Sequence, residues 1–116
     1  QLLDHRILGQ LFGRVLGLGQ RVGHAACAQR LIELGYTRPE RLALQGGSNG
    51  GLLMGAVMLQ RPDLFNAVLC QVPLLDMKRF HLLLAGASWM GEYGNPDDPA
   101  DWAVISRYSP YQVLQQ

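Results

Sequence analysis

The sequence is short of charge, of cysteine and of long apolar runs, and each shortage removes a class of function. Charged residues make up 16% of the 116 and sum to a formal charge of +1. That leaves no basic footprint for a nucleic acid. No apolar run approaches the ~20 residues of a membrane-spanning helix, so no membrane partner is expected. Cys27 and Cys70 are the only cysteines, too few and too far apart for a disulfide framework or a metal site, so reduced, buried thiols are expected. No repeat, linker, low-complexity segment or secretory leader is visible, and nothing asks for a cofactor. The remainder is 48% hydrophobic, an ordinary soluble globular composition. The chain opens on Gln1 rather than methionine, which suggests a piece of something longer. A complete α/β domain of the kind argued below runs to about 200 residues or more.

Glycine is concentrated where it matters. In Leu42-Ala43-Leu44-Gln45-Gly46-Gly47-Ser48-Asn49-Gly50-Gly51-Leu52-Leu53 four glycines enclose one serine. An apolar run of strand type enters the cluster and one of helical length leaves it. Gly46-Gly47-Ser48-Asn49-Gly50 fits G-x-S-x-G, which between a strand and a helix is a nucleophile elbow. Such a turn is so sharp that the serine backbone is strained, and side chains at the flanking glycines would collide with strand and helix. The helix then aims its N–H groups and positive dipole end at the serine. A glycine-rich βα turn or a phosphate-binding loop would also fit the pentapeptide. No lysine follows the glycines, which excludes a Walker A loop, and their spacing does not fit G-x-G-x-x-G.

Along the chain, residues 1–20 carry an apolar stripe interrupted by Gly9, Gly13, Gly17 and Gly19, each costing a helix about 1 kcal/mol. A weak helix or irregular segment is expected, with His5 at the surface. Residues 21–34 predict a helix capped by Gly35, and 36–40 a turn. Residues 41–45 predict the strand feeding the elbow, 50–60 the helix after it, and 67–70 the next strand. Strand, helix and strand in that order predict a right-handed crossover and a parallel sheet. Residues 76–87 read as a helix or tight excursion and 91–96 as a loop. Asp97-Asp98-Pro99 opens a short helix, which Ser109-Pro110 breaks.

From Gly35 onward the sequence resembles the catalytic domain of the prolyl oligopeptidase family of serine peptidases. The resemblance rests on Gly35-Tyr36-Thr37, Pro39 to Ala43, Gly46 to Leu53 and Gln60 to Phe65. It continues through Asp76-Met77, Arg79-Phe80-His81, Trp89, Glu92-Tyr93-Gly94 and Tyr108-Ser109-Pro110. It implies a partial α/β-hydrolase fold, with parallel strands and crossover helices around the elbow. It divides the chain into an N-terminal segment, 1–20, and a partial peptidase catalytic domain, 21–116. It implies Ser48 as the catalytic nucleophile, the N–H of Asn49 as an oxyanion donor, and Trp89 and Tyr93 as substrate-binding aromatics. Trp89 matches a tryptophan that stacks on the substrate proline. A proline ring is flat, apolar and lacks an N–H, so an aromatic plate suits it; the alternative for Trp89 is a core aromatic.

The resemblance also says what to expect elsewhere. The triad acid and histidine would follow residue 116, since only 68 residues follow Ser48. The upstream tyrosine of the oxyanion hole and an Asn-x-Arg-Gly-Gly-Gly stretch have no match in residues 1–34. The family carries a histidine at the position of His81 without using it as the base. Asp76 reads as a helix N-cap and Cys70 as core. The expected function is therefore cleavage of short peptides after proline through a Ser48 acyl-enzyme, with the rest of the catalytic domain needed for activity and a cytoplasmic location, or a periplasmic one if a leader precedes. A carboxylester hydrolase of the same fold and a non-catalytic remnant are the alternatives.

Overall fold

The computed structural model describes residues 18–115, with side chains from residue 21. The expectations for residues 1–17, His5 included, lie outside the described residues. The described chain falls into two compact units, 18–73 and 74–115.

The first unit is built on the apolar runs around the glycine cluster. Helix α1, Leu18–Glu33, begins three residues before the expected position. Its end is the predicted glycine cap. Gly35 sits at φ 76°, its N–H donates to the Ile32 carbonyl, and the Tyr36 N–H reaches back to Leu31, each at 3.0 Å. These two bonds form a Schellman motif, which uses glycine because φ is positive. Strand β1, Ala43–Gly47, runs later than the predicted 41–45. Pro39–Arg41 form a short 3-10 turn instead, because the proline ring presets a helical φ and the Arg41 N–H bonds the Arg38 carbonyl at 2.9 Å. Helix α2, Asn49–Gln60, and strand β2, Ala67–Gln71, follow as expected.

The two strands pair in parallel, with Ala43 opposite Ala67 and Gly47 opposite Gln71. Leu44, Met54 and Val57 form the buried centre, and Leu53, Phe65, Val68 and Cys70 pack around it. Each large apolar side chain removed from water there contributes about 1.5–3 kcal/mol. At the far end of α2 the Arg61 guanidinium grips the Asp63 carboxylate with two bonds (2.9 and 2.8 Å) and reaches Gln29 of α1 at 3.2 Å.

The second unit contains no strand among its described residues. It is a series of short turns and helices: 3-10 turns at Phe80–Leu82 and Gly86–Trp89, then α3, Met90–Tyr93, α4, Pro99–Ile105, and α5, Pro110–Leu114. Two expectations need correcting. The segment predicted as a loop over 91–96 begins inside α3, a single turn stopped at once by Gly94 at φ 94°. The Ser109-Pro110 step does not end the preceding helix, which stops at Ile105; it starts another, since proline at the first helical position loses no bond. The Asp98 carboxylate caps α4, accepting from the N–H groups of Ala100 and Asp101 at 2.8 and 3.1 Å.

Ser109 is completely buried, and its hydroxyl accepts the Met77 N–H at 2.9 Å. Tyr111 N–H donates to the Leu75 carbonyl and Gln112 Nε2 to Asp76 Oδ1, at 2.9 and 2.8 Å. The start of α5 thus fastens residues 75–77. Gly86 lies so close to the Phe80 carbonyl that a Cβ there would stand 1.7 Å from its oxygen. Met77, Phe80, Tyr93, Ile105 and Tyr108 fill the interior.

Candidate active site

Ser48 occupies the single residue between β1 and α2. Its backbone stands at φ 54° and ψ −118°, a region that costs a non-glycine residue on the order of 1–3 kcal/mol. Bonds on both sides hold it there. The Ser48 N–H donates to the Gln71 carbonyl at 2.9 Å, extending the strand ladder, and the Ser48 carbonyl accepts the Leu52 N–H at 3.1 Å, opening the helix. The serine side chain makes no capping bond to that helix and stands exposed. Asn49 is the first residue of α2, so its N–H belongs to the positive end of a twelve-residue helix dipole.

The glycines do not share the work as the motif suggests. A Cβ on Gly46 would lie 2.4 Å from the Gly50 carbonyl oxygen and 2.6 Å from Met54 Cγ. A Cβ on Gly50 would meet nothing within 4 Å. Collision was expected at both flanks, and it occurs at the first only. The close approach on the helix side falls one residue later, at Gly51, where a Cβ would stand 2.8 Å from the Pro73 ring and 2.9 Å from its Cα. The third glycine of the pentapeptide is sterically free, because the helix has already turned that position away from the sheet.

Cys70 lies on β2 with its thiol 3.8 Å from the Gly51 carbonyl, and burial pushes its pKa up. A thiol so placed is packing, not a nucleophile. In the second unit, Trp89 and Tyr93 stack with ring centroids 6.1 Å apart and planes 19° from parallel. Phe80 meets Tyr93 edge-on at 5.5 Å. Trp89 is half-buried and Tyr93 buried. Burial, then the charge of Glu92 and the nearby Tyr108, push the Tyr93 phenol well above its usual range, so it stays a neutral O–H.

Asp76 caps a turn, not a helix, accepting the Lys78 N–H at 3.2 Å. Burial pushes its pKa up, but bonds from Gln112 and from Arg79 (2.6 Å) outweigh this and hold it below the usual carboxylate value. With every oxygen engaged, it serves structure. His81 Nε2 lies 2.9 Å from Asp97 Oδ2, a pairing that the sequence did not show, since sixteen residues separate the two. Among the described residues no group of His, Cys, Asp and Glu is arranged to hold a metal.

A strand, a strained serine turn and a helix returning to a parallel strand define a segment of an α/β-hydrolase. The sequence profile of the prolyl oligopeptidase family matches residues 23–116, and the chain belongs to that family. It is 58% identical over 90 residues to an uncharacterized peptidase of Sinorhizobium fredii, covering 78% of this chain and 12% of that protein. It is 52% identical over 83 residues to a prolyl endopeptidase of Dictyostelium discoideum, covering 72% of this chain and 11% of the relative. A post-proline cleaving enzyme from Rickettsia typhi superposes with a TM-score of 0.75 at 49% identity, over 77% of this chain and 13% of that one. Prolyl oligopeptidase B of Galerina marginata, bound to a 35mer hydrolysis and macrocyclization substrate, superposes at 0.72 with 35% identity, over 76% and 13%. The chain thus spans about an eighth of the length of the relatives it matches. The family and its relatives are serine peptidases.

Proposed function

We propose that this chain is the nucleophile-bearing and proline-recognising segment of a serine peptidase that cleaves short peptides after proline. The observation that carries the reading is Ser48: an exposed hydroxyl on a backbone held at positive φ, between a parallel strand and the start of a helix. Ser48 Oγ attacks the carbonyl carbon of a prolyl residue. Its proton passes to a base, negative charge gathers on the carbonyl oxygen, and the Asn49 N–H and the helix dipole stabilise it there. Collapse breaks the C–N bond, leaves the prolyl ester on Ser48, and the amine departs with the proton; water then reverses the steps. By the family resemblance Trp89, stacked on Tyr93, is the aromatic plate suited to a proline ring.

In this reading the base and acid come from sequence outside these 116 residues, and the chain alone does not turn over. A serine hydroxyl without a base is a weak nucleophile, and losing a triad member costs about 10⁴ to 10⁶ in kcat. A cytoplasmic location belongs to the same proposal. The test is a fluorophosphonate probe with a prolyl amide and a p-nitrophenyl ester. The purified chain is expected to label slowly or not at all and to release no amine. The longer protein should label at Ser48, and its W89A variant should lose about tenfold to a hundredfold in kcat/KM on the prolyl amide, the worth of one aromatic contact. Rapid labelling and turnover by the 116 residues would overturn the outside base, and W89A with unchanged kcat/KM would remove Trp89 from the site.

A further inference from the structure

His81 has a buried polar side chain for which the chemistry above has no use. Its side chain is 8% exposed, while its partner Asp97 is 66% exposed. Its ring lies against Phe80, centroids 5.8 Å apart. Nε2 carries the proton of the bond to Asp97, and the other ring nitrogen, Nδ1, is buried with no hydrogen-bond partner among the described residues. A leucine would fill the space without burying an unsatisfied atom, so packing alone is a poor account of a histidine here.

The contacts form a closed circuit. The Tyr93 ring meets the edge of Phe80, and Phe80 meets His81. His81 bonds Asp97, and three residues of backbone, 94–96, lead from Asp97 back to Tyr93. That backbone is stiff: the Asn95 N–H donates to Asp101 Oδ2 at 2.8 Å and the Asp97 N–H to Asn95 Oδ1 at 3.0 Å. The Lys78 ammonium fixes a second point, the Pro96 carbonyl, at 2.6 Å. The His81–Asp97 bond is the one of these attachments that reaches the residue packed on Phe80.

We propose that His81 is a positioning residue that acts through Asp97 to fix Tyr93, and through Tyr93 the plane of Trp89. The inference rests on the reading of that aromatic pair as the proline-recognition surface. Without the His81–Asp97 bond the loop after Tyr93 keeps its bonds to Asp101 and Lys78 but loses the one that ties it back to the Phe80 side of the aromatic group. The pair then samples several ring angles, and a proline has to select the stacked one.

The test uses NMR on the chain, reading the Trp89 indole N–H (assigned with W102F) and the Tyr93 ring, during titration with benzyloxycarbonyl-glycyl-proline. D97A acts from the surface and leaves the interior intact. D97A and H81L are each expected to shift and broaden both signals, and their double variant to add nothing further, as for two residues acting through one bond. H81Q, which keeps a donor near Nε2, is expected to restore the parent positions. Affinity for the prolyl ligand should fall about threefold to tenfold in D97A, the scale on which residues outside a ligand's reach modulate binding. Unmoved Trp89 and Tyr93 signals in D97A, or fully additive effects of D97A and H81L, would overturn the proposal. A parent chain whose Trp89 ignores the prolyl ligand would count against proline recognition, while the ring shifts still decide the tether.

Discussion

The two outer glycines of Gly46-Gly47-Ser48-Asn49-Gly50 make a paired test, because alanine at each should act with opposite sign. At Gly46 the new methyl group would stand 2.4 Å from the Gly50 carbonyl oxygen and 2.7 Å from its carbon. Both are backbone atoms of α2, so no rotamer change relieves the clash, and the helix has to slide off β1. Inserting a methyl into packed surroundings costs about 1–3 kcal/mol when side chains can yield; with backbone on the receiving side the upper end applies. For a urea slope of about 1–3 kcal/mol per molar, the midpoint should fall by about 1–3 M. At Gly50 nothing lies within 4 Å, and the residue is helical. Replacing glycine by alanine in a helix gains up to about 1 kcal/mol, so Gly50→Ala should raise the midpoint or leave it unchanged. Urea titrations of both variants, followed by circular dichroism, decide the matter. Equal destabilisation by the two would refute the steric account. If Gly50→Ala is stable yet blocks labelling of Ser48 in the longer protein, the glycine is required by access to the serine and not by the turn.

Ser109→Ala should destabilise the chain by about 1–3 kcal/mol, since it strands the buried Met77 N–H that its hydroxyl accepts; an unchanged urea midpoint would show the N–H has another partner. The carboxyl of Asp76 has its pKa lowered on folding from 3.8. Its stabilising contribution is therefore complete above the unfolded pKa and is lost as the pH drops below about 3.8 toward the folded value. Asp76→Asn should flatten stability against pH in that acid range, and an acid limb identical in both proteins would exclude Asp76 as its source.

The elements that carry a strong local signal were legible in the sequence. The uncharged run from Leu52 to Leu59 read as the helix after the elbow, Gly35 stood where a left-handed cap belongs, and Ser48 could be placed at its turn from the glycines around it. What escaped was set by context. Proline preset a helical turn at Pro39–Arg41 and delayed β1 by two residues. Gly91 and Gly94 masked the single turn of α3 between them. A substrate role for the aromatic pair was expected only through family resemblance, because two rings four residues apart say helix face as readily as binding surface. The His81–Asp97 bond follows no period of helix or strand, and only the fold brings it together.

The backbone angle at position 48 also limits which reactive groups this scaffold can present. A side chain branched at Cβ is poorly suited to positive φ. Among the described residues one such case is Val72, φ 41°, which is 83% exposed. Position 48 is pinned between a ladder bond and a helix bond and has no such latitude. A hydroxyl there has to hang from an unbranched carbon. Sulfur could replace oxygen without disturbing the turn, whereas threonine, chemically the nearer relative of serine, would have to force the strand and helix apart to fit. At this point in the molecule the menu of chemistry is written by a torsion angle before any acid or base is chosen.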